Sequence, residues 1–381
     1  MRLPRLHRPR PVTWLALALA LLAAFFAVEP QAAFAQPPSP SILSPESPNA
    51  EAISDLFMFV LWFAIGVFIL VEGLIIYSVV RFRNKGGDEH VPVQVYGNTK
   101  LEIAWTVVPA LLAITILVLS LQAMPKIYDI PGDTVAAAAA DVGVCYVGNL
   151  SVDEVTRAAG TDLLVVKVTG HQWWWEFEYP QYGFRTATQL VAPEGRVVKL
   201  EMTASDVIHA WWVPELGPQF NVTPGYVMES WFQVNKQRTF QGQCAMHCGE
   251  AHAYMPMEVN VVSQAAFERW LDNERQPRLE PATELAKQGE ALFVSKACAS
   301  CHAISGYPED KAVARRAPDL THYGSRSYLS AFLPNTHDNL VHWLRNPEEL
   351  KPGNKMAVTI RPGFVSEAEA QALAAYLMSL K

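Results

Sequence analysis

Two apolar runs, Asp55 to Val80 and Leu101 to Met124, limit what this chain can fold into. As a helix the first would extend about 39 Å at 1.5 Å per residue, enough to cross a bilayer with some tilt. The second has Glu102 at its start and Pro109 close behind. Arg81, Arg83, Lys85 and Lys100 lie between them, and such an excess of basic residues marks a cytoplasmic loop. The expected product is a transmembrane hairpin over 55–124, with both ends outside the cytoplasm and a lipid bilayer as its surroundings. Glu72 falls inside the first run. An ionisable group at that depth faces protein or water rather than lipid, which suggests a neighbouring membrane subunit; the plainer reading is a carboxylate near the interface.

Composition agrees with the hairpin, since half of the 381 residues are hydrophobic and only 18% are charged. A net charge of -7 argues against nucleic acid as a partner. Residues 1–35 read as a secretory signal: Arg2, Arg5, Arg8 and Arg10, then an apolar core from Trp14 to Val28, then Ala33-Phe-Ala35 as a cleavage site. A Pro- and Ser-rich stretch follows, and 36–54 is expected to be a flexible lead-in.

Beyond the hairpin, 126–274 is expected to form one domain. Its first part, up to about Gly160, gives a poor reading. Then come Leu163–Thr169, His171–Tyr179, Arg196–Met202, Met228–Val234 and Met257–Val262. These segments are short, rich in Val, Trp, Tyr and Phe, and divided by Pro and Gly, which predicts a β-sandwich or barrel. Phe267 to Glu274 closes it as a helix, and 275–282 is a charged, Pro-containing linker. Residues 283–381 make a second unit of ordinary domain size. Helical patterns run over Leu285–Val294 and Ser366–Leu380, and Ser366-x-x-Glu369 has the form of a capping box.

Two cysteine clusters carry the chemistry. Between Gln243 and Met255 stand Cys244, Cys248, His252 and Met255, and His209 lies upstream. Thiolate, imidazole and thioether together form the ligand set of copper electron-transfer sites. Two thiolates can also bind zinc or form a disulfide, so the residues alone leave those readings open. The second cluster is Cys298-Ala-Ser-Cys301-His302. Two thiols one helical turn apart can each add to a haem vinyl group, and the adjacent histidine then reaches the iron. Met356 is the candidate sixth ligand, because His/Met ligation suits an electron carrier; Met378 is its competitor and is read as core packing. His322, His337 and His342 are read as surface or structural residues. Cys145, the fifth cysteine, has no assigned role.

These residues resemble subunit II of haem-copper (aa3/caa3-type) cytochrome c oxidases, in the version with a cytochrome c domain fused at the C-terminus. The likeness rests on the hairpin, Glu102-Ile-Ala-Trp-Thr-Val-Val-Pro109, the aromatic run from Gly170 to Tyr179, the Cys/His/Met loop, Cys298–His302, Ala317–Arg326 and Lys351–Met356. It implies a multi-domain membrane protein: a two-helix transmembrane hairpin, an all-β cupredoxin-like sandwich and an all-α class I cytochrome c domain. It also implies a dinuclear copper centre, CuA, with Cys244 and Cys248 bridging, His209 and His252 on one copper each, and Met255 and the carbonyl of Met246 as further ligands. Haem c would be bound covalently at Cys298 and Cys301, with His302 and Met356 on its iron.

The same likeness makes Trp173 the residue through which electrons enter and Glu102 the mouth of a proton path into subunit I. Subunit I, subunit III and a cytochrome c donor become the expected partners. The implied place is a bacterial inner membrane, with both soluble domains on the periplasmic side. The implied activity is electron input to haem a and CuB for oxygen reduction coupled to proton pumping; this chain carries no candidate oxygen-reducing site itself. One departure concerns a magnesium or manganese site at the subunit boundary. Met246 and Asn221 stand where the family has carboxylates, and a hard cation needs oxygen ligands, preferably charged. That site is expected to be absent or weakened. A copper-free quinol-oxidase subunit is the first alternative, set against the filled ligand positions. A copper domain serving nitrous-oxide reduction is the second, set against the two spans and Glu102.

Overall fold

The computed structural model describes residues 40–83, 93–131, 163–306 and 317–381. The expected signal segment 1–35, Lys85, Cys145 and most of the 126–160 stretch lie outside the described residues. The first long helix, α1, runs over Pro48–Arg81, and the second, α2, over Thr99–Tyr128. Both are long and apolar enough to cross a membrane, and they pack against each other.

Helix α1 starts at Pro48 rather than at Asp55, so the expected lead-in over 36–54 is helical in its last part. A proline read as a loop signal here occupies the first turn, where its missing N–H costs nothing and its fixed φ favours the helix. The start is also anchored. Asn49 is fully buried and its amide donates to the carbonyl of Trp231 at 2.6 Å, while the Ser47 hydroxyl donates to Asn49 Oδ1 at 2.7 Å. At the start of α2, Asn98 accepts from the N–H of Leu101, and Glu102 Oε1 accepts from the N–H of Asn98 at 3.1 Å. Glu102 therefore caps its own helix. Pro109 and Pro125 sit inside α2, as membrane helices tolerate.

The next unit is a two-layered β structure. Ten strands occur between Leu163 and Val262: β1 Leu163–His171, β2 Trp174–Tyr179, β3 Phe184–Ala187, β4 Gln189–Pro193, β5 Val197–Ala204, β6 His209–Trp211, β7 Phe220–Val222, β8 Met228–Gln233, β9 Arg238–Gln243 and β10 Pro256–Val262. The larger sheet has the order β3-β2-β1-β5-β8; β4-β10-β9 forms the smaller, and β6 pairs with β7. Alternation along β2 turns Trp175, Phe177 and Tyr179 inward, as the period of two requires. They meet Val166, Val198, Phe240 and Val259 in one core, which α3 (Gln264–Glu274) closes with Phe267 and Leu271.

The expected strand His171–Tyr179 is broken. His171 ends β1 and pairs with Trp174 of β2, so Gln172 and Trp173 form the tip of a tight hairpin. That bend lifts Trp173 out of the sheet.

The C-terminal unit is helical: α4 Glu284–Ser295, α5 His337–Arg345, α6 Lys355–Thr359 and α7 Glu367–Ser379. Helices α4 and α7 cross where Gly289 abuts the carbonyl of Ala372, and one turn on Phe293 and Tyr376 meet with centroids 5.8 Å apart. Only a residue without Cβ allows the backbones so close. The expected capping box is present: Ser366 accepts from the N–H of Glu369, and the Glu369 carboxylate accepts from the N–H of Ser366.

Candidate metal centre and haem-attachment site

The metal centre is assembled from three places. The β9–β10 connection carries the two cysteines, and its neck is closed by Cys244 N–H donating to the carbonyl of Met255 at 3.2 Å. Ala245 N–H donates to the carbonyl of Ala210 on β6, 3.1 Å away. That bond docks the loop beside His209, the first residue of β6. Cys244 Sγ then lies 3.8 Å from Cys248 Sγ, 3.9 Å from His209 Nδ1 and 3.3 Å from the carbonyl oxygen of Met246. Cys248 Sγ lies 3.4 Å from His252 Nδ1 and 4.0 Å from Met255 Sδ. Both thiols are buried and unbonded to each other. The geometry thus gathers all six groups singled out above.

The chemistry of this set fits copper better than zinc. Structural zinc sites take four thiolate, imidazole or carboxylate ligands; here a thioether and a carbonyl join the thiols, and soft sulfur with a weak axial thioether is a copper preference. The hydrogen bond between the two thiols brings Cys244 down to about 4 against the opposing pull of burial, with help from His209. Cys248 is pushed up by the same bond and by burial.

A carboxylate orients the first histidine. His209 Nε2–H donates to Asp206 Oδ1 at 2.9 Å, which leaves Nδ1 bare towards the thiols, the usual way a protein sets the tautomer of a ligating imidazole. Burial pushes the Asp206 carboxyl up, but bonds from His209, Lys355 and the N–H groups of Gln172 and Val207 outweigh it and hold the group well below the ordinary carboxylate range. The hairpin tip also reaches the loop: the Trp173 indole N–H donates to the carbonyl of Cys248 at 3.1 Å, and the Gln172 amide does so at 2.8 Å. Sequence reasoning assigned no role to Asp206, although it stands three residues before His209. Met246 offers the site its carbonyl. Asn221 points outward from β7, opposite Ala210.

In the helical unit, Cys298 and Cys301 lie on one short turn after α4. His302 Nδ1–H donates to the carbonyl of Pro318 at 2.8 Å, so Nε2 is the nitrogen left for an iron. Burial lowers the His302 pKa, which keeps the imidazole neutral, as a ligand must be. These residues fit covalent haem. Met356, the second residue of α6, is half-buried against the core, where its sulfur accepts from the Trp343 indole at 3.2 Å. Met378 packs into the same core from α7. His337 and His342 lie at the surface. His322 is buried beside Glu274.

The two units touch near both sites. Lys351 Nζ donates to the carbonyl of Trp173 at 2.7 Å, and Lys355 Nζ lies 2.9 Å from Asp206 Oδ2. Ser327 N–H donates to Gln189 Oε1 at 3.1 Å, and the rings of Tyr254 and Phe332 are 5.0 Å apart.

Fold and site together define a class: a cupredoxin-like copper domain carried on a helical membrane hairpin and joined to a cytochrome c domain. The family models agree part by part. The transmembrane domain of cytochrome c oxidase subunit II matches residues 42–123, its periplasmic domain matches 184–262, and cytochrome c matches 286–381. Cytochrome c oxidase subunit 2 of Alkalihalophilus pseudofirmus is 33% identical over 341 residues, which cover 89% of this chain and 90% of that one. The protein of the same name from Bacillus subtilis is 35% identical over 312 residues, covering 80% and 82%. The crystal structure of the periplasmic domain of subunit II of cytochrome oxidase from Bradyrhizobium japonicum is 32% identical, covers 29% of this chain and 93% of that one, and gives a TM-score of 0.29. The chain belongs to the cytochrome c oxidase subunit II family, in the form fused to cytochrome c. It is thus a membrane-anchored part of a haem-copper oxidase and a partner of subunit I.

Proposed function

We propose that this chain is the electron-input subunit of its oxidase. In this reading a cytochrome c-type donor delivers electrons to haem c, and they continue through CuA to haem a and CuB of subunit I, where oxygen becomes water and protons are pumped. The observation that carries it is the convergence of Cys244, Cys248, His209, His252, Met255 and the Met246 carbonyl on one buried point. When bound, the copper pair and the haem supply one-electron redox chemistry. The protein's part is positioning. Asp206 fixes His209, the Pro318 carbonyl fixes His302, and the hairpin tip sets Trp173 against the backbone of Cys248 as the point of electron input. Glu102 would face a proton path at the cytoplasmic end of α2.

Location at a bacterial inner membrane, with both soluble domains periplasmic, belongs to the same proposal, as does contact with subunit III. So does a lost or weakened magnesium site. The Met246 side chain has no oxygen, and Asn221 contributes no charge; stoichiometric Mg or Mn at the subunit boundary of the purified complex would contradict that part. The main test is copper and covalent haem content, with copper EPR, on the purified oxidase. Two coppers sharing one unpaired electron, with one covalent haem in this chain, is the expected result. Haem without paired copper would recast the chain as a tethered cytochrome on a scaffold of another kind.

A further inference from the structure

The loop that ends at the candidate haem ligand Met356 also carries the contacts that reach the copper domain. Lys351 is 3% exposed, although lysine is among the residues least often buried. Its ammonium donates to the carbonyls of Trp173 at 2.7 Å and Ser330 at 3.1 Å, and the ring of Phe332 lies 5.8 Å away. Burial pulls it down to about 7. Burying an ammonium is costly unless its hydrogens find partners, and here one of them is the backbone of the hairpin tip in the other domain.

Two further residues of the loop match. Gly353 lies at φ +76°, and a Cβ there would come within 2.6 Å of Glu250 Oε2 on the copper loop. Lys355 pairs with Asp206 Oδ2, whose other oxygen accepts from His209. One carboxylate is therefore shared between a candidate copper ligand and the residue immediately before a candidate haem ligand.

We propose that Lys351 and Lys355 are positioning residues: they clasp the Met356 loop onto Trp173 and Asp206, seat the cytochrome domain for transfer to the copper loop, and close Trp173 to any separate donor. The proposal rests on the electron-input reading. Trp173 is 8% exposed, so a diffusing cytochrome would have to displace Lys351 to reach its backbone, and an outside donor must instead dock on the cytochrome domain. Lys351 is the inner pin. Lys355, 58% exposed at its side chain, is the outer and weaker one.

The test is amine acetylation of the purified oxidase, read residue by residue by mass spectrometry, beside single-turnover electron transfer after rapid reduction of the haem. An accessible amine with a lowered pKa would react faster than the exposed Lys287. The clasp instead requires Lys351 to react at least about tenfold more slowly, in line with the loss of two charge-assisted bonds on opening. Lys351→Met should shift the seated-to-free ratio by roughly ten- to a hundredfold on the same ground. It should slow haem-to-copper transfer accordingly while copper EPR and haem spectra stay unchanged. Lys355→Gln, a surface change that leaves folding intact, should raise Lys351 labelling by about fivefold or less. Labelling of Lys351 at the rate of Lys287 in the unaltered oxidase, or an unchanged transfer rate in Lys351→Met, would overturn the clasp. Absence of the paired-copper signal in the unaltered oxidase would instead overturn the electron-input reading, because acetylation reports the contact whichever metal is bound.

Discussion

Asp206 gives each of its oxygens to a different partner, one to His209 and one to Lys355. Replacing it tests how far copper depends on that support. Asp206→Asn keeps the shape but loses the charge, so the imidazole is held less firmly; outer partners of metal ligands are typically worth ten- to a hundredfold in affinity. Copper affinity, followed by competition with a chelator, should fall by about that factor while covalent haem content stays the same. The candidate ligands themselves were legible because five of the six copper ligands fall between Gln243 and Met255, and C-x-x-C-H is contiguous. Asp206 was missed although its partner His209 is only three residues on, because a carboxylate near a histidine is too common a pattern to single out. Its tie to Lys355 and that of Lys351 to Trp173 span 149 and 178 residues, which no local pattern announces.

Among elements, the α4–α7 crossing is the most sensitive to a single atom. Gly289→Val would drive two methyl groups into the Ala372 backbone, and overpacking of this kind costs about 1–3 kcal/mol or more; a lower denaturant midpoint of the cytochrome domain is the expected readout. The start of α7 predicts a pH effect. The Ser366 N–H and then Lys296 hold Glu369 at about 2 instead of its ordinary 4.5. Between those values the unfolded chain binds a proton that the folded one does not. The stabilisation is therefore complete above pH 4.5 and lost as pH falls towards 2. Glu369→Gln should remove that part of the acid dependence, seen by circular dichroism across that range. Both helices were legible, since their apolar period and cap are local. Half of the strands were not: β3, β4, β6 and β7 have three to five residues, too few for an alternation to register, and β9 is mostly polar. Their existence depends on the neighbours they pair with.

For the whole molecule, a charged linker over 275–282 suggests a loose tether that raises the local concentration of the cytochrome. The structure is tighter. Arg278 is buried, its N–H donates to the carbonyl of Ser305 at 3.1 Å, and its guanidinium lies 2.7 Å from Glu290 Oε1. Pro277 lies against Gly306. Removing one partner of a buried ion pair is strongly destabilising, so Arg278→Gln should free this segment. Trypsin should then cut at Arg275 several-fold faster than in the unaltered protein, measured as the rate at which the cytochrome fragment appears.

The stitch between Asn49 and Trp231 has a mechanical meaning. The top of α1 is fastened to β8 by the amide of Asn49 and by Ser47, which accepts from the N–H of Gln233, while Glu46 binds Lys236 and, at the start of β9, Arg238. Tilting α1 in the lipid would therefore pull directly on the edge strand β8, and the contact of Tyr128 with Phe220 ties the end of α2 to the same sandwich. The sandwich is thus held to its stem at the helix ends, by residues that are not candidate ligands.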